Sequence, residues 1–465
     1  MSRKAPNNAN TNMSKRTNSN TYPATPLLVP AMMVLLCFAD TLKAGIAENQ
    51  TFIISRLNNN QPIITETMFD ALGATDDEGN NINGPSVIRI PDWIAPENRA
   101  DPNAIYYMYF GHHAGNYIRL AWAAHIDGPW HLYQVGFTVP TGNRGVLDLG
   151  SDDKIYLDNG IILYNHIASP DVFVDDENQQ IIMYFHAGEV KVNGASLGQK
   201  NLVATSSDGL DFHDGIKPVI LGRFYFRVFE YKGNLYATSN SGYLFKAPDP
   251  NNPWKPPVGF DFRNDLWIQR PDSPFQNDID DANFSGVPDK PLRVRHSAMR
   301  LVGDTLQVLY TRIGDCPERI MMSTIDLSAG NYEVWDSSFP PREILQAELH
   351  WEGGDIPPAN SQGSTAPENV NQLRDPYIFK DVDGTLYLFY CGRGEDAIGA
   401  AILRPAALGQ LDFDTDTDLL DFALFAEHWL ATDCGTCDGT DLTGNGKVTM
   451  DDLRDLATYW LAGIE

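Results

Sequence analysis

Basic side chains are scarce in this chain: 34 Lys and Arg stand against 61 Asp and Glu in 465 residues, a formal net charge of −27. A surface of that sign repels polyanions, which argues against nucleic acid as a partner and suits a soluble, exported or cell-surface protein. Long apolar runs are scarce too. The strongest one, residues 26–38, is shorter than a membrane span, and no other segment is a candidate. Lys4, Lys15 and Arg16 precede it and the small-x-small site Gly45-Ile46-Ala47 follows, so it reads as the core of an export signal over residues 1–47, with Met13 as an alternative start. The expected location is secreted, periplasmic or at the cell surface. Cysteine is the third scarcity, with five in all. Cys37 would leave with the signal, and Leu36 before it is larger than a lipoprotein box wants. Cys316, Cys391, Cys434 and Cys437 remain as two pairs for an oxidising compartment, with the connectivity open. Cys434 and Cys437 sit between Asp-Gly loops, with too few neighbouring ligands for zinc.

What the chain has is short apolar runs in a recurring order. Residues 170–174 and 181–185 are apolar around the polar break 175–180, the signature of an antiparallel hairpin. His166, Ser169 and Asp171 stand before or at the start of its first strand and His186 at the end of its second. Antiparallel pairing brings those ends together on one edge. The same strand–turn–strand–strand order is expected at 85–90, 106–110, 117–123 and 130–133, at 224–229, 234–238 and 243–246, at 296–302, 306–310 and 319–324, and at 375–379, 386–390 and 398–402. Five such units over residues 83–407 predict an all-β five-bladed β-propeller, because each unit must cover its faces against neighbours around an axis. A β-sandwich of irregular strands is the alternative. Residues 48–82 read as a polar lead-in with one strand at Phe52.

Aligned on the first residues of the inner strands, one column reads Gly84, Ser169, Tyr225, His296 and Asp375, and a second, two residues on, reads Ser86, Asp171, Arg227, Ala298 and Tyr377. Period-two alternation places both columns on one side of their strands. The ends of the second strands bring His112 and His113, His186, Arg312 with Asp315 and Glu318, and Arg393 with Glu395 to the same face. Glycosidic cleavage usually needs two carboxyl groups. The best pair is Asp171 and Asp375, with Glu318 and then Glu352 and Glu395 as substitutes. Arg227, Arg295 and Arg374 offer forks for a carboxylate or sulfate on a sugar. His166 and His296 are alternative acids or bases, and His112, His113, His186 and Arg312 complete the substrate-binding set.

Gly84-Pro-Ser-Val-Ile-Arg89, Tyr106-Tyr-Met-Tyr-Phe110, Ser169-Pro-Asp-Val-Phe-Val-Asp175, Arg374-Asp-Pro-Tyr-Ile-Phe379 and Gly128-Pro-Trp130 together resemble the five-bladed glycoside hydrolases typified by families 43, 117 and 130. The resemblance covers about residues 83–403 and implies cleavage of O-glycosyl bonds in a carbohydrate substrate. Those families keep acids on the inner strands of separate blades. Here Asp375 alone stands in the first column, while Gly84, Ser169 and Tyr225 occupy positions where acids are expected. Three functions stay open: a hydrolase of a neutral or anionic polysaccharide, a non-catalytic carbohydrate-binding propeller, and a sugar phosphorylase or lyase.

Residues 408–465 differ in composition. Asp441 to Asp452 fits a calcium loop: Asp441, Thr443 and Asn445 offer side-chain oxygens, Lys447 a carbonyl, Asp452 closes the loop and Gly446 permits the turn. Residues 453–461 follow as an amphipathic helix. Upstream, Asp412, Asp414, Asp416 and Asp418 precede Asp421 and a helix over 422–430, with the closing acid two residues early, so weaker binding is expected there. The duplicated loop and helix resemble a type I dockerin, an EF-hand-like α-helical module, which implies bound Ca2+ and a cohesin-like protein partner.

Overall fold

The computed structural model describes residues 52–72, 79–113, 115–133, 144–277, 293–363, 365–367, 369–405, 411, 417–432, 437, 440–443, 446–458 and 460. Residues 1–47, expected to be an export signal, and Cys434, Asn445, Asp412, Asp414 and Asp416 lie outside the described residues. Among the described residues no helix is long and apolar enough to cross a membrane.

Five antiparallel sheets follow one another along the chain. Blade 1 is Asn83–Arg89, Tyr106–Gly111, Tyr117–Ala123 and Trp130–Tyr133. Blade 2 is Ile161–Asp175, Gln180–Val192, Lys200–Ser206 and the short Gly222–Arg223. Blade 3 is Arg227–Tyr231, Asn234–Thr238, Leu244–Lys246 and Ile268–Gln269. Blade 4 is Arg293–Val302, Thr305–Ile313, Ile320–Asp326 and Arg342–Leu345. Blade 5 is Arg374–Lys380, Leu386–Gly392 and Ala397–Pro405, completed by Phe52–Arg56. The protein is a five-bladed all-β propeller.

The apolar runs look continuous rather than alternating because each blade is covered on both faces. Period two sends Tyr107 and Tyr109 into the cluster shared with Val172, Met183 and Phe185 of blade 2. Their neighbours Met108 and Phe110 enter the cluster shared with Phe389 and Ile398 of blade 5. Tyr184 and Val203 meet Val228 and Phe245 between blades 2 and 3, Phe229 and Tyr236 meet Val308 and Tyr310 between 3 and 4, and Leu309 and Met322 meet Leu388 and Tyr390 between 4 and 5. Every junction in the ring thus has its own apolar cluster.

Phe52–Arg56 was expected as an isolated strand in a lead-in; it pairs antiparallel with Ala397–Pro405, Ser55 opposite Ile402, and so closes the ring with the first described strand of the chain. Arg56 fastens the closure. Its Nε and NH2 donate to the two oxygens of Glu352 at 2.7 and 3.0 Å, and the fully buried Glu352 also accepts from Tyr390 Oη at 2.7 Å and from the Glu348 and Leu349 N–H groups. Cys316 and Cys391 are free thiols, which corrects the expectation of a second disulfide pair. In the tail, helices Leu419–Glu427 and Met450–Thr458 begin a turn earlier than expected, because Asp418 with Asp421, and Thr449 with Asp452, cap their first turns.

Arg56→Ala would leave the Glu352 carboxylate buried without its cation, which should cost about 3 kcal/mol. Chemical denaturation should show a lower midpoint with an unchanged slope; an unchanged midpoint would mean that the pair contributes nothing to closure.

Candidate active site on the propeller axis

Four of the five inner strands slip in register near their start, at Gly84, Ser169, His296 and Asp375. Ladder registers slip at Asn83/Ser86, Val294/Ser297 and Arg374/Tyr377, and in blade 2 where Tyr184 and His186 face Asp171 and Ala168. Four of the five first-column residues lie in the left-handed region: Gly84 at φ 62°, Ser169 at 53°, Tyr225 at 63° and Asp375 at 51°. For the three with a Cβ this conformation is strained and persists only where the surroundings hold it. Gly84 is free of that cost; a Cβ there would make only an ordinary 3.5 Å contact with Ser169 Cα, so its conformation rather than space explains the glycine.

Four of the first-column residues form a continuous series, from Gly84 through Asp375 and His296 to Tyr225. His296 Nδ1 contacts Asp375 Oδ1, and Gly84 N–H donates to Asp375 Oδ2 at 3.3 Å. The Tyr225 ring lies edge-on to His296, with centroids 4.3 Å apart, and edge-on to His186 at 4.9 Å. His186 Nε2 is 3.1 Å from His166 Nε2. Burial, then the charges of Arg295 and Arg227, hold His296 well below its ordinary pKa. Burial, then His166, does the same for His186. Burial, then the Arg119 charge, brings His112 down to about 4, and burial, then His113, brings His166 to about 4. These imidazoles are therefore neutral at pH 7, each offering one N–H donor and one nitrogen acceptor.

The second column, expected to share this site, has a different task. Ser86 Oγ accepts from Val172 N–H at 2.9 Å, Asp171 Oδ2 from Val228 N–H at 2.8 Å, Arg227 donates to the Pro170 and Ser297 carbonyls at 2.9 and 3.1 Å, and Tyr377 Oη donates to the Val87 carbonyl at 3.2 Å. Each of these bonds joins one blade to the next. The irregular registers explain the division, because two residues counted across a bulge no longer share one environment.

The other acids and arginines of this face are bound to one another. Glu318 is fully buried, with Arg295 Nε at 2.8 Å and Arg374 Nε at 3.3 Å. Arg374 NH1 donates to Glu395 at 2.9 Å, and Gln372 Oε1 accepts from Arg374 Nε and NH2. Burial opposes the Glu395 charge, but the His113 hydrogen bond, the Arg374 charge and Asn81 outweigh it and hold the carboxyl well below the usual carboxylate range. His113 Nδ1 lies 3.5 Å from Glu395. Arg312 pairs with Asp315 at 3.0 Å, and Arg393 with Asp355 at 3.3 Å on the rim. Asn81, Asn83 and Gln372 were not singled out by sequence; the run Asn80-Asn81-Ile82-Asn83 just before an inner strand was the available signal.

No protein-family model matches the chain. The chain is 31% identical over 336 residues to the uncharacterized protein R118 of Acanthamoeba polyphaga mimivirus, covering 71% of this chain and 85% of that one. Solved structures with a similar course include an α-L-arabinofuranosidase from Lactobacillus brevis, at 13% identity and TM-score 0.42 over 75% of this chain and 92% of that one. An endo-1,4-β-xylanase from Bacteroides thetaiotaomicron is another, at 12% identity and TM-score 0.40 over 71% and 92%.

Burial lifts the Asp171 carboxyl from 3.8 to about 6, against the opposing pull of Arg227 and the Val228 N–H. A carboxyl raised on folding contributes stability that is full below its unfolded value and is lost as pH rises through the folded one. Asp171→Asn keeps an oxygen for Val228 N–H and removes the ionisation. The variant should have a flatter dependence of thermal midpoint on pH between about 4 and 6, and a midpoint at pH 7 no lower than the parent. A lower midpoint at pH 7 would show that Arg227 needs the charge.

Proposed function

The chain belongs to the same family as the mimiviral protein R118, and we propose that it is a glycoside hydrolase-like enzyme that cleaves a neutral polysaccharide or oligosaccharide at the axial ring. The observation that carries this reading is the His296–Asp375 contact at a left-handed residue. A neutral imidazole whose Nδ1 faces Asp375 Oδ1, together with the Gly84 N–H on Oδ2, orients the carboxylate without placing a cation directly on it. An oriented carboxylate of this kind can act as base toward water or as nucleophile toward an anomeric carbon. His112, His166 and His186 offer donors and acceptors suited to sugar hydroxyls. Arg227, Arg295, Arg312 and Arg374, the residues expected to hold an anionic group, already face carboxylates or carbonyls, which favours an uncharged sugar. Asp375→Asn should lower reducing-end release from a polysaccharide panel by on the order of 100-fold with the thermal midpoint retained. Activity within a few-fold of the parent would remove Asp375 from the chemistry, because Asp171 and Glu318 are already bound to a backbone N–H and to two guanidinium groups.

A non-catalytic carbohydrate-binding propeller is the second reading, and the partners of Asp171, Glu318 and Glu395 favour it. Each of these acids already has a backbone or cationic partner that a proton-transfer role would have to displace. Under this reading the same panel shows retention of a polysaccharide with no product.

For the tail we propose a dockerin-like module that holds one calcium ion and docks on a cohesin-like domain, and for residues 1–47 a role in export. Thr443 Oγ1 lies 2.8 Å from Asp452 Oδ1 and 3.3 Å from Asp441 Oδ1, so both acids converge on one point, as a hard cation's oxygen shell requires. Gly446 N–H also donates to Asp441 at 2.6 Å. Asp441, Thr443, Lys447 and Asp452 would hold the ion, although no group of three or more His, Cys, Asp or Glu placed for a metal occurs among the described residues. Leu419, Leu420, Leu430 and Met450 are exposed and offer the partner an apolar surface. Calorimetric titration of the chelated full-length chain should show uptake of calcium, with a gain of helical circular dichroism, and Asp452→Ala should abolish both. Absence of calcium-dependent heat in the parent would leave the tail an acidic appendage.

A further inference from the structure

The inner strand of blade 2 begins at Ile161, well before the axial residue Ser169, and this extension pairs with the end of Gln180–Val192 on one side and with Lys154–Tyr156 on the other. Between the extension and the mouth of blade 1 lies a cleft of about 680 Å³, within the ~300–1,000 Å³ of ordinary ligand cavities. Tyr164 and Asn165 line it from the extension, and Asn80, His112 and Asn116 from blade 1.

The chemistry of these walls is that of a hydroxyl-rich ligand. Amide side chains donate and accept, as sugar hydroxyls do. Asn116 Nδ2 donates to Asp153 Oδ1 at 3.1 Å, which fixes the orientation of its amide. Tyr164 supplies an apolar ring with a polar tip, and the Lys191 ammonium 4.8 Å from its centroid backs the ring. The charges on the walls balance, Asp152 and Asp153 against Lys154 and Arg119. The Arg119 guanidinium is nearly fully buried among the rings of Phe69, Phe110 and Tyr117, where it gives an incoming anion little access. The cleft lies beside the axial histidines: His112 belongs to its wall and is close enough to His166 to interact electrostatically with it, and Asn165 directly precedes His166, whose Nε2 meets His186.

We propose that this cleft is a further sugar subsite, contiguous with the axial ring, that takes additional residues of an uncharged oligosaccharide whose reacting or terminal residue sits at His296 and Asp375. The proposal rests on the carbohydrate reading of the ring but not on turnover there. It makes the ligand a chain rather than a single sugar, and it makes affinity depend on chain length.

The test is titration of the full-length protein with xylo-, arabino-, manno- and gluco-oligosaccharides of one to six residues, beside sulfated and uronate-bearing counterparts. Affinity for at least one neutral series should rise tenfold or more between one residue and four. Tyr164→Ala should remove that rise. Asn116→Ala, in a half-buried loop position, is the second probe if Tyr164→Ala fails to fold, and it should weaken the longer ligands several-fold. Length-dependent binding that Tyr164→Ala abolishes, without any product release, upholds the subsite and overturns the hydrolase reading. Hydrolysis with affinity independent of length, or with length dependence intact in both variants, overturns the subsite and leaves the hydrolase reading standing. Preference for the sulfated or uronate-bearing ligands overturns the proposed ligand class.

Discussion

Glu318 is a carboxylate with no solvent exposure, held between the guanidinium groups of Arg295 and Arg374. Arg374 passes the interaction on to Glu395, and Glu395 passes it to His113 and Asn81. The chain of charges therefore crosses from blade 4 through blade 5 to blade 1, the blades that carry His296, Asp375 and Gly84. In a low-dielectric interior such a network tolerates little: removal of one partner leaves another buried charge unmatched, which costs several kcal/mol. An axis built this way is stiff. It can hold three non-glycine residues in left-handed backbone, because the surrounding charges and apolar clusters leave the strands no other course.

The same network sets what the face can recognise. Arginines in a carbohydrate site suggest anion binding when read from sequence, since the guanidinium fork matches a carboxylate. Here the matched carboxylates are the protein's own. Beside the Asp375 carboxylate, what remains is neutral imidazole, amide and phenol, groups that both give and receive hydrogen bonds.

The architecture was legible because burial on both sides imposes a simple rule. Tyr107 and Tyr109 face one neighbour, Met108 and Phe110 the other, and the result is a run of apolar residues at each second strand. The column Gly84, Ser169, Tyr225, His296 and Asp375 was legible from the strand starts alone, and four of its residues form a continuous series. The separate task of the second column was not, because alternation assumes a regular strand and the register slips between the two columns. The partners of Arg295 and Arg374 were hidden as well: Glu318 and Glu395 lie more than twenty residues further along the chain, and nothing local links them. The closing strand was hidden for a stronger reason. Phe52–Arg56 has the composition of any edge strand, and its partner stands near the far end of the propeller sequence.

That separation has a consequence for how the protein is made. During synthesis Phe52–Arg56 leaves the ribosome before any other described strand, and Ala397–Pro405 is among the last propeller strands to follow. The early strand must wait, unpaired, while four blades are produced, and an unpaired edge is an invitation to wrong partners. Joining the two ends then closes a loop of about 350 residues, an entropic cost that grows only with the logarithm of its length. Completion of the ring is thus a late event that follows synthesis of the last blade. A protein that stays open until its last blade is made gains its full stability only once the two ends of the ring have met.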